Sequence, residues 1–254
     1  MTDAESAGED VEMELVGGTS ATKQYAIGVI LAAVYGVSAL IPISAFLGSA
    51  GPLAQLTLTI CIAPLFGILL GPTRGFIFGF IGGVITAFLP GVALFVPTVI
   101  LGPAVSGLLS GLCLKSHTTL RSIRIPGPLL TALYLSIIMI LYLVPNYGAW
   151  WFMVYYALAA LVAVSLQFEE FRFDAGKRGY RRFLQLIPLA LIGTITDFSM
   201  MTMGAVYILM IPAEVFGFGI FPFMLAERGA ATIISAIVAT VVLSTFKDVF
   251  PSSR

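Results

Sequence analysis

Four ionisable residues stand in or beside otherwise apolar sequence in the C-terminal quarter of the chain: Asp197, Glu214, Glu227 and Arg228. A charge at bilayer depth costs at least ~2.5 kcal/mol, so such residues face a cavity or a partner. Asp197 stands thirteen residues past Leu184. At about 1.5 Å per residue that is about 20 Å along a helix, somewhat beyond the middle of a membrane. Glu227 and Arg228 enter from the opposite side, within a turn or two of the other surface, so Asp197 can meet Arg228. Two kinds of chemistry follow. The pair joins two helices as a structural ion pair, or it forms the polar wall of a ligand pocket open to the outside. Glu214 falls in the outer loop, where water solvates it.

Other chemistry is not written in the residues. No Gly-x-x-x-x-Gly-Lys-Ser/Thr loop is present, so ATP is not held in the P-loop manner. The sole histidine, His117, lies in a polar gap, and Cys61 and Cys113 fall in separate apolar stretches, where they read as small packing residues. No metal-ligand spacing, Ser–His pair or paired intramembrane carboxylates appear. The expectation is a protein that is not an enzyme, with no catalytic residues, metal, cofactor or nucleic-acid partner.

The elements that must position these residues are membrane helices. The chain is 59% hydrophobic and 10% charged, with mean hydropathy +1.02, where a soluble domain carries roughly 25% charged residues. Of 13 Lys and Arg residues, 12 fall in every second gap between apolar stretches. Lys23 precedes the first stretch and Arg74 follows the second. Lys115, Arg121 and Arg124 follow the fourth, Arg172, Lys177, Arg178, Arg181 and Arg182 the sixth, and Lys247 and Arg254 the last. Short basic loops stay cytoplasmic. The alternation predicts an all-α polytopic bundle of about eight segments with both termini inside: 24–47, 54–70, 74–89, 92–114, 126–145, 149–167, 184–211 and 221–246. The second and third are short for a crossing and are joined by Gly71-Pro72, a break rather than a loop. Residues 1–22 read as a disordered acidic tail, 23–248 as the membrane domain and 249–254 as a short tail, all tails cytoplasmic. The run Lys177-Arg178-Gly179-Tyr180-Arg181-Arg182 is most simply a topology signal, with anionic lipid as a further contact.

Small residues recur at helical spacing. Gly75, Gly79 and Gly83, and Gly107 with Gly111, form faces that let backbones approach closely inside a bundle. Gly28, Ala32 and Gly36 form such a face on the first span, suited to packing or to docking another membrane protein. The gap 145–151 holds both tryptophans, Trp150 and Trp151, and reads as an outer loop at the interface.

Three stretches resemble the substrate-binding S components of energy-coupling factor (ECF) transporters. Ala26 to Gly36 is similar to that family's opening helix. Ala63 to Gly75, continuing from Gly79 to Gly83, looks like its apolar helix, Gly-Pro and glycine-spaced helix. Gly193-Thr-Ile-Thr-Asp197, then Phe221-Pro-Phe-Met-Leu-Ala-Glu-Arg-Gly229, resembles its C-terminal end. S components usually have six helices, so 126–182 looks like extra material on a six-helix core. The family's Ala-xxx-Ala face falls on Gly28/Ala32/Gly36 or on Ala33/Val37.

The resemblance implies a multi-pass subunit of the cell membrane that captures a vitamin-like micronutrient. A transmembrane coupling subunit and ATPase subunits would drive uptake. Implied ligand residues are Asp197, Glu227 and Arg228, with Gln55, Thr57, Asn146, Tyr147 and Trp150 as an outer lid, where aromatic and amide groups suit a small, partly planar molecule. The rival is a stand-alone secondary permease, for which Asp197 is the obvious mid-membrane carboxylate.

Overall fold

Glycine and proline cut the apolar sequence into straight pieces, and the breaks decide the architecture. A computed structural model of the chain describes residues 20–41, 57–89, 96–120, 123–168 and 179–245. Gln55 and the tails beyond these bounds lie outside the described residues.

Helix α1 runs Ser20–Ser38, so residues 20–22 belong to a helix rather than to the predicted tail. Helix α2, Thr59–Ala87, contains Gly71 at φ 77°, ψ −179°. That left-handed conformation suits glycine, and it reverses the chain. A methyl on Gly75 would stand 2.7 Å from the Phe66 carbonyl oxygen, and one on Gly82 would stand 3.3 Å from the tip of the Phe66 ring. In a straight helix residues 66 and 82 would be about 24 Å apart. The two arms of α2 are therefore a tight hairpin with its apex at Gly71-Pro72.

Helix α3, Val96–Leu112, packs into this hairpin. The glycine faces meet backbone to backbone. A methyl on Gly75 would lie 2.8 Å from the Gly107 carbonyl oxygen, one on Gly83 would lie 2.8 Å from Ile100 Cα, and one on Gly111 would lie 2.7 Å from Gly71 C. Close backbone approach replaces the hydrophobic drive that lipid does not supply.

A two-stranded hairpin follows where the sequence reads as a loop. Strands β1, Thr118–Leu120, and β2, Ile123–Ile125, pair antiparallel with Thr118 opposite Ile125. Helix α4, Gly127–Asn146, then continues through a 3₁₀ turn, Tyr147–Met153, into α5, Val154–Phe168. The 42 residues from Gly127 to Phe168 would extend about 63 Å if straight, twice the ~30 Å hydrocarbon core. Ala149 leaves helical geometry at φ −126°, ψ 43°, and α4 and α5 pack side by side. Helix α6 runs Gly179–Tyr207. A π-helical turn, Val215–Ile220, leads into α7, Phe221–Thr245.

Among the described residues, four apolar helical stretches are long enough to cross a membrane: Thr59–Ala87, Gly127–Phe168, Tyr180–Tyr207 and Val215–Thr245, with Ile100–Leu112 shorter. They mark a helical membrane protein. Length and composition single out four stretches where the charge pattern predicts eight segments; two of the four, Thr59–Ala87 and Gly127–Phe168, are folded back on themselves.

The small-residue face of α1 is not a free docking surface. Ala32 is buried, a side chain on Gly28 would run into the Phe78 ring, and one on Gly36 would stand 2.7 Å from Ile85 Cγ2. The face is a packing seam against the second arm of α2. The outward side of α1 exposes Val29, Ile30, Val34 and Val37, and Ala33 with them.

Two apolar bodies are stacked along the bundle. One gathers Ala32, Tyr35, Phe66, Leu69, Ala163, Leu186, Leu189, Ile192 and Ala236. The other gathers Leu135, Tyr142, Phe152, Tyr156, Ile195, Phe198, Phe216 and Met224. On α6 the change from one to the other falls between Ile192 and Ile195.

Candidate functional site

At that change-over α6 turns polar. Thr194, Thr196, Asp197, Ser199 and Thr202 are all buried. Residues three and four apart share a helix face, so Thr194, Asp197 and Phe198 look together at α7. There Arg228 and Thr232, again four apart, look back. Asp197 pairs with Arg228 and Thr194 with Thr232, so the two helices run antiparallel.

Arg228 is the centre. Its guanidinium is fully buried, at 0% exposure. Nη1 donates to the Thr194 carbonyl oxygen at 3.2 Å and lies 3.6 Å from Asp197 Oδ2. Nη2 lies 3.3 Å from Glu227 Oε1. The guanidinium carbon sits 4.4 Å from the centre of the Phe198 ring, a cation–π contact that is strongest where water is excluded. Asp197 and Glu227 are 4% and 3% exposed. Two carboxylates thus flank one guanidinium in an enclosed site. Among the described residues, Nε of Arg228 has no hydrogen-bond partner, and Nη2 and Glu227 Oε1 meet only as an ion pair, without a hydrogen bond.

The neighbouring helices are cut to fit. On α3, Gly102 makes room for Asp197, since a methyl there would stand 2.7 Å from Oδ1. Ser106 donates to the Gly193 carbonyl oxygen at 2.8 Å, and Ser235 of α7 donates to the Cys61 carbonyl oxygen at 2.7 Å. Tyr134 of α4 shares a 2.6 Å hydrogen bond with Ser199, and Tyr156 of α5 a 2.7 Å bond with Thr202. Helices α2 to α7 therefore all hold the level of the cluster.

The expected residues are placed unevenly. Asp197, Glu227 and Arg228 come together. Asn146 is buried at the end of α4, while Tyr147 and Trp150, on the 3₁₀ turn, are 74% and 57% exposed. Thr57 shares a 2.6 Å hydrogen bond with Thr59. Glu214 is exposed. The turn connects to the cluster through rings: Phe152 lies 6.1 Å from Phe198 between centroids, and Phe198 lies under Arg228. Trp151, read from sequence only as an interfacial aromatic, donates from Nε1 to the Gly217 carbonyl oxygen at 3.2 Å and so fastens the turn to the π-helix before α7. Thr194, Phe198 and Thr232 were also missed. Their signal is the polar run Thr194-Ile-Thr-Asp-Phe-Ser199 inside an apolar helix, with a threonine four residues after Arg228.

A shallow groove lined by Tyr180, Phe183, Ile237, Thr240 and Val241 lies elsewhere on α6 and α7. Ile237 is nine residues beyond Arg228, about 14 Å along the helix, so the groove is separate from the cluster.

Comparison with protein-family models, with curated proteins and with solved structures gave no match.

Proposed function

We propose that this chain is a multi-pass protein of the plasma membrane that captures a small, vitamin-like molecule. In this reading it is the substrate-binding S component of an ECF-type transporter, and the chain itself catalyses nothing. The single observation that carries the proposal is the Asp197–Arg228–Glu227 cluster. Three charges enclosed among apolar helices are expensive, and intramembrane charges of this kind mark ligand or ion sites. The alternation of basic gaps supports eight segments with cytoplasmic ends. The Trp150–Trp151 turn then faces outward above the cluster. Docking to a coupling subunit passes to the outward side of α1 at Ala33 and Val37, because the Gly28/Ala32/Gly36 side is occupied by α2. Purification in mild detergent followed by mass spectrometry of released small molecules tests capture. Co-expression with ATPase and coupling subunits tests whether uptake depends on them.

A second reading, a stand-alone secondary permease, is favoured by one observation. Asp197 and Glu227 stand on either side of Arg228, so two carboxylates rather than one are available to a coupling ion. Accumulation of solute against a gradient by the purified chain alone in liposomes would establish that reading and sink the first.

A further inference from the structure

The two edges of the Arg228 guanidinium differ. Nη1 is committed to α6, by its hydrogen bond to the Thr194 carbonyl oxygen and its contact with Asp197. The other edge, Nε with Nη2, points two donors that are buried and unbonded, and the unbonded acceptor Glu227 Oε1 lies 3.3 Å from Nη2. A buried donor or acceptor without a hydrogen bond is costly even where an ion pair screens part of its charge, so an occupant that hydrogen-bonds all three is favoured.

We infer that this edge receives a neutral planar group that presents a hydrogen-bond acceptor beside a hydrogen-bond donor, such as an amide, a lactam or an amino-substituted nitrogen heterocycle. This deepens the small-molecule capture reading and rests on it. The acceptor takes the Nε–Nη2 edge and the donor reaches Glu227 Oε1. A ligand carboxylate would fit the guanidinium fork by shape. It would also bring a third negative charge against one positive charge in a low-dielectric site, where like charges are most costly. A purely donating cation would satisfy Glu227 and leave Nε and Nη2 unbonded. Phe198 adds a shape requirement. Its ring lies beneath the guanidinium, so a flat group coplanar with the guanidinium continues over the same aromatic surface, as in offset ring stacking.

Four fragments of similar size separate these cases when titrated into the full-length protein in detergent by saturation-transfer NMR. They are 2-aminopyrimidine (acceptor beside donor), pyrimidine (acceptors only), benzoate (anionic acceptors) and benzamidine (cationic donors). The expected result is at least tenfold tighter binding of 2-aminopyrimidine than of the other three. Arg228→Lys, which keeps the charge and loses the planar edge, should weaken it at least tenfold. The wild-type ranking is decisive even if that variant does not fold. Equal binding of pyrimidine, preference for benzoate or benzamidine, or binding of none of the four overturns the inference; in the last case ordered water alone satisfies the edge. A copurified molecule lacking such a group also overturns it while leaving the capture reading intact. The capture reading falls separately, if neither copurification nor uptake reveals any small molecule.

Discussion

Arg228 and Thr194 are joined by a hydrogen bond from a side chain on one helix to the backbone of another, Nη1 to the carbonyl oxygen at 3.2 Å. The contact does not depend on the identity of the Thr194 side chain. It fixes the height of α7 against α6, and the carboxylates of Asp197 and Glu227 then gather around a guanidinium already held in place.

Replacing Arg228 by Gln strands two buried carboxylates. Removing one member of a buried charge group typically costs about 3–5 kcal/mol, so Arg228→Gln should cause a large loss of thermal stability in detergent. Asp197→Asn leaves Glu227 on the guanidinium and should cost less. The double variant should show a coupling of about 0.5–3 kcal/mol. On ligand affinity, Asp197→Asn is expected to lose more than it loses in stability. Unchanged affinity in Asp197→Asn, Arg228→Gln and the double variant would reduce the cluster to a helix fastener.

Gly71→Ala tests the hairpin in α2. Among the described residues, no group outside the adjoining backbone lies within 4 Å of the position a methyl would take, but φ is +77°. The penalty is therefore conformational, about 1–3 kcal/mol for a region open almost only to glycine, and should appear as a lower melting temperature.

The α2–α3 seam is sterically stricter. A methyl on Gly107 would stand 2.6 Å from Gly75 C, whereas one on Gly148 meets only Ala213 Cβ at 3.8 Å. Gly107→Ala should destabilise by about 1–3 kcal/mol, as overpacking does. Gly148→Ala should leave the melting temperature within error.

The two sides of α1 should separate folding from partnership. A bulky residue at Ala32 enters the buried seam and should lower stability. Ala33→Trp or Val37→Trp, on exposed positions, should leave ligand binding intact and reduce uptake driven by partner subunits. Loss of binding in the second pair would tie that side of α1 to the bundle instead.

Single cysteines report the topology. Labelling from outside is expected at Gly148→Cys, and not at Ser116→Cys or Gly179→Cys. The reverse pattern would invert the orientation drawn from the basic gaps.

The helical bundle was legible because hydropathy and charge segregation are large, additive signals. Gly71-Pro72 was legible as a break because so few residues adopt what that position requires. The meeting of Asp197 with Arg228 followed from depth alone, since two antiparallel helices bring residues at equal height together. Other features depended on what lies opposite. Gly28, Ala32 and Gly36 look the same on a docking face as on an internal seam, and only the position of Phe78 and Ile85 distinguishes them. The β1–β2 hairpin was hidden by its shortness, three residues a strand. Thr194 was hidden because its backbone, not its side chain, receives Arg228.

The stacking of the two apolar bodies leaves the charged level between unlike walls. Toward the Trp150–Trp151 turn the wall includes five buried rings, Tyr142, Phe152, Tyr156, Phe198 and Phe216, among aliphatic side chains. On the other side it is built mainly of aliphatic side chains, Leu69, Leu186, Leu189 and Ile192 among them. In the small-molecule capture reading, a solute arriving from the tryptophan end would meet the ring-bearing wall first, with the aliphatic wall beyond the charged level.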